Sequence, residues 1–452
     1  MSASSPSSQT AAVILAAGKG TRMRSDLPKV LHPVAGVPMI HHVVAAARAC
    51  GAERLVAVLS PGLTQVAESL PGVAVAVQDP PRGTGHAVAA ALSLLEGQTG
   101  GVLILFGDTP LIEAETLRRL RAALDEPNVA VAVLGFRPAE AGAYGRLVLD
   151  EEGGLAAIVE AAEASEAQLA ISLCNAGVMA IRAGYLATLV GAIDDTNAKG
   201  EFYLTDVVAI ARLRGLSVAV VEGAADEVLG VNSRIELAEA EAILQARLRT
   251  RHMAAGVTFE DPGSVRLCLD TELGQDVTVA PHVVFGPKAR IAAGVRINAF
   301  SHIEGATVET GAIVGPFARL RPGAVVGRNA HVGNFVELKN AVLGEGAKAN
   351  HLTYLGDASV GAGANIGAGT ITCNYDGFNK SRTEIGEGAF IGSNTALVAP
   401  VTVGAGAIVG AGSVVVEAVA ADALYLERAK PVQKPGWAAR FRAAMRKAKG
   451  KE

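Results

Sequence analysis

The sequence predicts two structural halves, a doubly wound α/β domain followed by a parallel β-helix of hexapeptide repeats. Three observations carry this expectation. Up to about residue 230, short apolar strands alternate with helical stretches. From Asn232 to Ala255 the chain contains neither glycine nor proline. Beyond that run, apolar residues recur every six positions, a period that belongs neither to an ordinary strand nor to a helix. A chain of 452 residues is also too long for one ordinary core.

The first half reads in order. A strand over Ala12 to Ala16 runs into a glycine-rich turn, LAAGKGTRM. The segments Val56–Leu59, Val73–Val77, Val102–Phe106 and Val129–Leu134 read as further strands, interleaved with helical Gly85–Leu95 and a helix from Glu113. Ligands of such sheets bind beyond the carboxyl ends of the strands, where LAAGKGTRM sits. That turn is not a P-loop, because Gly18 and Gly20 are too close together. Nor is it a dinucleotide fingerprint, because Met23 stands where glycine is required. What remains is a tight turn whose backbone amides, with Lys19 and Arg22, suit an anion, and which is expected to open toward a helix.

The run from 232 to 255, rich in Ala, Glu, Leu and Arg, predicts one long helix, an arm over 235–255 between domains spanning 1–234 and 256–452. In the last domain Val314, Leu320, Val326, Val332 and Leu338 keep the six-residue period, and so do Ile385, Ile391, Leu397, Val403, Val409 and Val415. Stacked residues of this kind fill the interior of a parallel β-helix. Between Ile366 and Ile385 the period breaks, which predicts a loop over Gly369–Thr383 standing off the coil.

Composition excludes several classes. A net charge of −4 argues against a general nucleic-acid surface. No uninterrupted apolar stretch reaches membrane length, and MSASSPSSQTA lacks the features of a signal peptide, so a soluble cytoplasmic protein is expected. The four cysteines, Cys50, Cys174, Cys268 and Cys373, form no CxxC pair and read as free thiols.

Several longer motifs carry a resemblance. LAAGKGTRM, Lys29 in SDLPKVLHPVAG, QDPPRGTGHA and LFGDTPLI look like a sugar-phosphate nucleotidyltransferase. With FARLRPGA, GNFVELKN, HLTYLGD and NIGAGTITCNYDG added, the chain resembles, from about Ala11 to Trp437, the bifunctional bacterial N-acetylglucosamine-1-phosphate uridyltransferase and glucosamine-1-phosphate acetyltransferase family. The resemblance implies acetylation of glucosamine 1-phosphate by acetyl-CoA, then transfer of UMP from UTP to the product, with Mg²⁺ at the uridylyl site. It also implies a left-handed β-helix, a homotrimer, and a place in the supply of peptidoglycan and lipopolysaccharide precursors.

By the same resemblance Leu15, Gly18 and Lys29 contact UTP, Arg22 meets its phosphates, and Lys29 stabilises charge on the transferring phosphoryl group. Gln78, Gly83 and Thr84 would read the uracil, and Gly145, Glu160 and Asn175 the sugar. Asp108 and Asn232 would hold the metal through oxygen, the donor type Mg²⁺ prefers. The pattern leaves other roles open: Asp108 for a turn, Asn232 for a helix cap, Glu160 for a surface carboxylate.

In the second half Arg321 and Lys339 are eighteen residues apart, so the β-helix period stacks them on one face, where two cations suit a phosphate monoester. His351 is the one residue of HLTYLGD that titrates near neutrality, as a general base for an attacking amine must. Its two-hexapeptide offset from Lys339 predicts a face two corners further on, removed from the phosphate clamp. A histidine at a coil corner, as at His282, His302 or His331, is the plain alternative. The resemblance assigns Tyr354 and Asn365 to the sugar, and Ala368, Asn374, Tyr375, Ser393, Ala411 and Arg428 to acetyl-CoA. Two departures stand out: Phe106 replaces a usual tyrosine, and ALYLERAKP around Arg428 differs from the usual sequence. The tail after Trp437 is strongly basic and reads as a solvated helix.

Two rival readings keep the architecture and change the function. One is a nucleotidyltransferase whose β-helix serves only assembly, against which His351, Arg321 and Lys339 argue. The other is a non-enzymatic exchange-factor scaffold, which would not need Gly18, Arg22, Lys29 and Asp108.

Overall fold

The computed structural model describes residues 9–18, 20–197 and 199–450, and it divides the chain into two compact units, Met1–Leu248 and Arg249–Glu452. Lys19, one of the cations expected in the glycine-rich turn, lies outside the described residues.

The first unit is organised by a sheet with the strand order Ser217–Glu222, Val129–Phe136, Cys174–Arg182, Gly101–Phe106, Thr10–Leu15, Ala52–Leu59, Ala74–Val77. All six residues of Thr10–Leu15 are buried. Its alternate side chains enter two separate cores, Ala11, Val13 and Leu15 in one and Ala12 and Ile14 in the other. A strand buried on both faces needs apolar residues at every position, which is why TAAVIL shows no alternation. Helices Met39–Ala49 and Ala114–Ala122 supply residues to one core, and Thr84–Ala91, Ala183–Val190 and Asp206–Leu213 to the other.

The sheet is not wholly parallel. Cys174–Arg182 runs antiparallel to both neighbours. Its N-terminal end therefore lies at the edge where the parallel strands end, and a hairpin, Arg146–Leu149 with Leu155–Val159, continues from there. The glycine-rich turn opens not into an α-helix but into a single 3-10 turn, Thr21–Met23. A second such turn, Lys29–Leu31, and a short hairpin follow before helix Met39–Ala49 begins.

One helix, Arg234–Ala254, occupies the glycine-free run, and the division between the units falls inside it. Its first part is bonded to the first unit: Glu241 accepts from the Ala35 amide at 2.6 Å, and Arg247 donates to the Leu111 carbonyl at 2.8 Å and to Asp226 at 2.8 Å. No helix among the described residues is long and apolar enough to cross a membrane.

The second unit is a coil of three parallel ladders. Within the coil, Val314 pairs with Val332, Leu320 with Leu338 and Val326 with Leu343. Most strands are two residues long, the second buried in all but the Glu272–Leu273 and Leu424–Tyr425 strands, so the six-residue apolar set lines the interior. An alanine two positions earlier points the same way, and Ala312, Ala318, Ala324 and Ala330 are almost fully buried. Backbones of successive coils pass so closely at Gly333 that a Cβ there would lie 2.0 Å from the Asn350 carbonyl oxygen.

The loop is shorter than expected. Ile371–Cys373 pairs with Ala396–Val398, and Thr383–Ile385 with Ala358–Val360, so both flanks belong to the coil. The departing segment is 374–382, closed by a Tyr375–Lys380 bridge.

At one corner of the coil each turn places a residue in the left-handed region. The lower turns use His282, Phe300, Phe317, Phe335 and Leu352, whereas the upper turns use Gly369, Asn394 and Gly412. The four lower rings stack at centroid spacings of 4.9, 4.9 and 5.1 Å.

Candidate active sites

In the first unit the strand ends converge on a cleft of about 640 Å³. Nine of the residues expected from sequence line it: Leu15, Gly18, Lys29, Gln78, Gly83, Thr84, Asp108, Glu160 and Asn175. The Gly107 amide bonds the Leu15 carbonyl at 2.9 Å, which brings the glycine-rich turn beside the Asp108 turn. A Cβ at Gly20, where φ is +62°, would lie 2.6 Å from the Lys29 Cβ, so this close approach of turn and lysine requires glycine.

Lys29 is the junction of the site. Its ammonium forms a salt bridge with Asp108 and donates to Asn232 Oδ1 at 3.1 Å. The cap of helix Arg234–Ala254 is Ser233, whose Oγ accepts from the Glu236 amide at 3.4 Å, which leaves the Asn232 side chain to the site. A carboxylate and an amide oxygen that already face one cation fit the preference of Mg²⁺ for a few protein oxygens completed by phosphates and water. Arg22 is exposed and does not line the cleft.

The uracil-reading segment is tied down locally. Gln78 is buried and donates to the Gly83 carbonyl at 2.9 Å, while the Thr84 hydroxyl accepts from the Leu204 amide at 3.0 Å. At the far end Asn175 donates its amide proton to the Gly145 carbonyl at 2.8 Å, and the nearest approach of a Cβ at Gly145 to Glu160 Oε2 would be 3.7 Å. Burial pushes the Glu160 carboxyl above the usual glutamate range, Lys199 pulls it back, and Glu163 adds to the rise. Lys199, Glu201 and Tyr203 also line the cleft, and no motif had marked them. Phe106 lines it as well.

The second unit gathers its groups by register. Arg319 and Leu320 pair with Glu337 and Leu338, which sets Arg321 beside Lys339 on the next turn, and Arg321 also bonds Glu337 at 2.8 Å. Strands His331–Lys339 and Lys348–Gly356 are nine residues each, bend round a corner, and pair Asn334 with His351 and Glu337 with Tyr354. The two-corner offset of His351 from Lys339 holds: Gly356 lies above Lys339, whereas His351 lies above Asn334, on the other side of the Phe335 corner. In a three-sided coil, two faces forward is one face back on the next turn, so His351 sits above a residue of the strand that carries Lys339.

His351 is exposed, and its Nδ1 lies 2.7 Å from Asn334 Oδ1. An amide oxygen only accepts, so in a neutral ring this contact favours the tautomer with the proton on Nδ1 and the lone pair on Nε2. Lys380, from the 374–382 loop, was not marked in the sequence; its ammonium holds Lys339 below the ordinary lysine range. Burial raises the Asp357 carboxyl, but hydrogen bonds from Asn340 and Asn374 outweigh it and hold the group below the usual range. Asn374 is buried in that contact, while Tyr375 is exposed and bonds the Gly377 carbonyl. Asn365 pairs with Lys348 on the preceding turn.

The remaining residues form a column above His351. The Gly369 amide bonds the His351 carbonyl, Asn394 that of Ala368, and Gly412 that of Ser393, at 3.3, 2.8 and 2.8 Å. Arg428 completes it by donating to the Ala411 carbonyl at 3.0 Å. His351, Ala368, Ser393 and Ala411 thus follow one corner, the one where left-handed residues change from rings to glycine and asparagine.

Residues 12–152 match a MobA-like NTP transferase domain, and residues 382–416 match the bacterial transferase hexapeptide of six repeats. A bifunctional protein GlmU of Rhodospirillum rubrum is 58% identical, covering 98% of this chain and 99% of its own. The counterpart from Azorhizobium caulinodans is 55% identical over 97% and 98%, and that from Paramagnetospirillum magneticum 53% over 98% and 99%. The chain belongs to the GlmU family. It is a bifunctional transferase, a glucosamine-1-phosphate acetyltransferase and N-acetylglucosamine-1-phosphate uridyltransferase, whose second unit is the left-handed parallel β-helix of this family. All four cysteines are free, as their spacing predicted.

Proposed function

We propose that the two reactions of this GlmU family member run in two sites that share no side chain, and that the Lys29 junction carries the first. In the cleft a phosphate oxygen of N-acetylglucosamine 1-phosphate attacks the α-phosphorus of UTP, and pyrophosphate leaves. Positioning and charge neutralisation do most of this work. Leu15, Gly18, Gln78, Gly83 and Thr84 hold the nucleotide, Gly145, Glu160 and Asn175 the sugar. Lys29 neutralises the transferring group, and Arg22 reaches the phosphates from the rim. Asp108 and Asn232 hold Mg²⁺, which would polarise the phosphate oxygens when bound.

At the coil corner Arg321 and Lys339 take the phosphate of glucosamine 1-phosphate, while Tyr354 and Asn365 orient its ring. Neutral His351 accepts the amine proton at Nε2 as nitrogen attacks the acetyl-CoA thioester, and the CoA thiol departs. Acetyl-CoA lies along the Ala368, Ser393, Ala411 and Arg428 column, flanked by Asn374 and Tyr375. The column is exposed at Ser393, Ala411 and Arg428 and half-buried at Ala368, and its upper corner carries only small or polar residues, which supports an extended donor there. The reading extends to a cytoplasmic homotrimer feeding cell-envelope precursors, with the working boundary inside helix Arg234–Ala254.

Parallel assays test it in full-length enzyme: thiol release with glucosamine 1-phosphate and acetyl-CoA, and pyrophosphate release with UTP and N-acetylglucosamine 1-phosphate. Lys29→Ala should stop only the second and His351→Ala only the first. Loss of both activities in a folded variant of either residue would refute two independent sites.

A further inference from the structure

The segment leading into the long helix contacts both 3-10 turns and the Asp108 strand end, and two of these contacts come from one guanidinium. Arg234 Nε donates to the Met23 carbonyl at 3.3 Å, and Arg234 Nη1 donates to His32 Nδ1 at 3.3 Å. Met23 ends the 3-10 turn that carries Arg22. His32 caps the one that begins with Lys29, its amide bonded to the Lys29 carbonyl at 3.2 Å. Two residues before Arg234, Asn232 accepts from Lys29, and the Val231 amide bonds the Asp108 carbonyl at 2.9 Å. We propose that Arg234 is a positioning residue for uridylyl transfer: it locks the two 3-10 turns bearing Arg22 and Lys29 to the segment bearing Asn232.

The chemistry of the contact supports a specific latch rather than surface decoration. His32 is 3% exposed. A guanidinium donates and never accepts, so His32 Nδ1 must accept and the ring must be neutral. Both turns are single turns with no helix behind them, and Arg24 at φ +49° leaves the first in the left-handed region. Without Arg234 the first turn would keep only its buried Met23 as an anchor beside the Gly20 approach, and the second its buried Val30 and the Lys29 bonds to Asp108 and Asn232. A lysine could reach one acceptor but not both, since the fork geometry belongs to arginine.

This inference rests on the reading of Lys29, Asp108 and Asn232 as the uridylyl site. Its test therefore runs Lys29→Ala beside Arg234→Ala and Arg234→Lys in the full-length enzyme. For Arg234→Ala, kcat/KM for UTP should fall by about 10- to 100-fold, as misplacement of positioned groups does. The KM for N-acetylglucosamine 1-phosphate and the acetyl-transfer rate should stay near native. Calorimetry of UTP in EDTA should show weakened binding without metal, Arg234→Lys should fall between native and alanine, and millimolar guanidinium ion should restore part of the loss in Arg234→Ala only. A native kcat/KM for UTP in Arg234→Ala, with Lys29→Ala inactive, would overturn the latch and leave the site reading standing. So would a loss shared equally by both substrates, with a lower melting temperature and no rescue. An active Lys29→Ala would overturn the site reading itself.

Discussion

The two sites of this chain are assembled by opposite means. In the first unit, Lys29, Asp108 and Asn232 come from segments 79 and 203 residues apart and meet through side chains. In the second, His351, Ala368, Ser393 and Ala411 are brought together by a repeating backbone, and the side chains need only project from it. The cleft thus owes its assembly to side-chain contacts, whereas at the coil corner the backbone sets the spacing and contacts such as Asn334 with His351 only orient single groups. Substitutions in the cleft should disturb neighbours, and those on the corner should remove one function at a time.

The sharpest break of this contrast is Lys29→Ala. Losing the charge that joins Asp108 and Asn232 should reduce pyrophosphate release by about a hundred- to a thousand-fold, the scale of removing a preorganised electrostatic group, with thiol release unchanged. Next is His351→Ala, expected to cost about two to four powers of ten in acetyl transfer, the span of general-base catalysis, with uridylyl transfer untouched. Asn334→Ala, which removes only the partner of Nδ1, should cost less than His351→Ala, and a steady-state comparison of the two checks it.

Gly20→Ala sharpens the comparison. Its Cβ would strike the Lys29 side chain, so uridylyl transfer should fall about ten-fold or more while the melting temperature of the second unit holds. On the corner, Lys380→Ala should raise the Lys339 titration toward the ordinary lysine range, read by NMR of labelled lysine, and raise the KM for glucosamine 1-phosphate.

The smallest effect is at Glu160. Its folded carboxyl is pushed up, mainly by burial, so the folded state binds its proton more tightly than the unfolded chain does. Stability therefore falls as pH rises through the interval between the ordinary glutamate range and the raised value, and stays lower above it. Glu160→Gln should melt slightly higher than the native protein near neutrality. Below the glutamate range the difference should vanish, as melting curves at the two pH values would show.

Much of this arrangement was legible in the sequence, but unevenly. Val314, Leu320, Val326 and Val332 announce the coil because stacking demands the same kind of side chain at each turn. The inward alanines two positions earlier obey the same rule and could have been read with them. Strand direction leaves no such trace, so the reversal of Cys174–Arg182 was invisible, and with it the route by which Asn175 reaches the cleft. Asn232 and Ser233 are both good caps, and only the fold shows which one caps. Lys199 and Lys380 lie on loops with no repeat to mark them, whereas Asn334 could have been found as the residue one turn below His351.

The 374–382 loop carries a further consequence. Ile366 pairs with Ile391, twenty-five residues on, where Val314 pairs with Val332 after eighteen, yet the ladders on both sides remain in register. A coil closes wherever its next strand meets the ladder, so additional chain between two ladder residues adds only a slowly growing closure entropy, about 0.6 kcal/mol per doubling of length. Such a scaffold can accept a graft at one corner without repacking its interior. Lys380 arrives beside Lys339 on that inserted segment, so this half of the chain could gain a cation by lengthening a turn instead of redesigning a core.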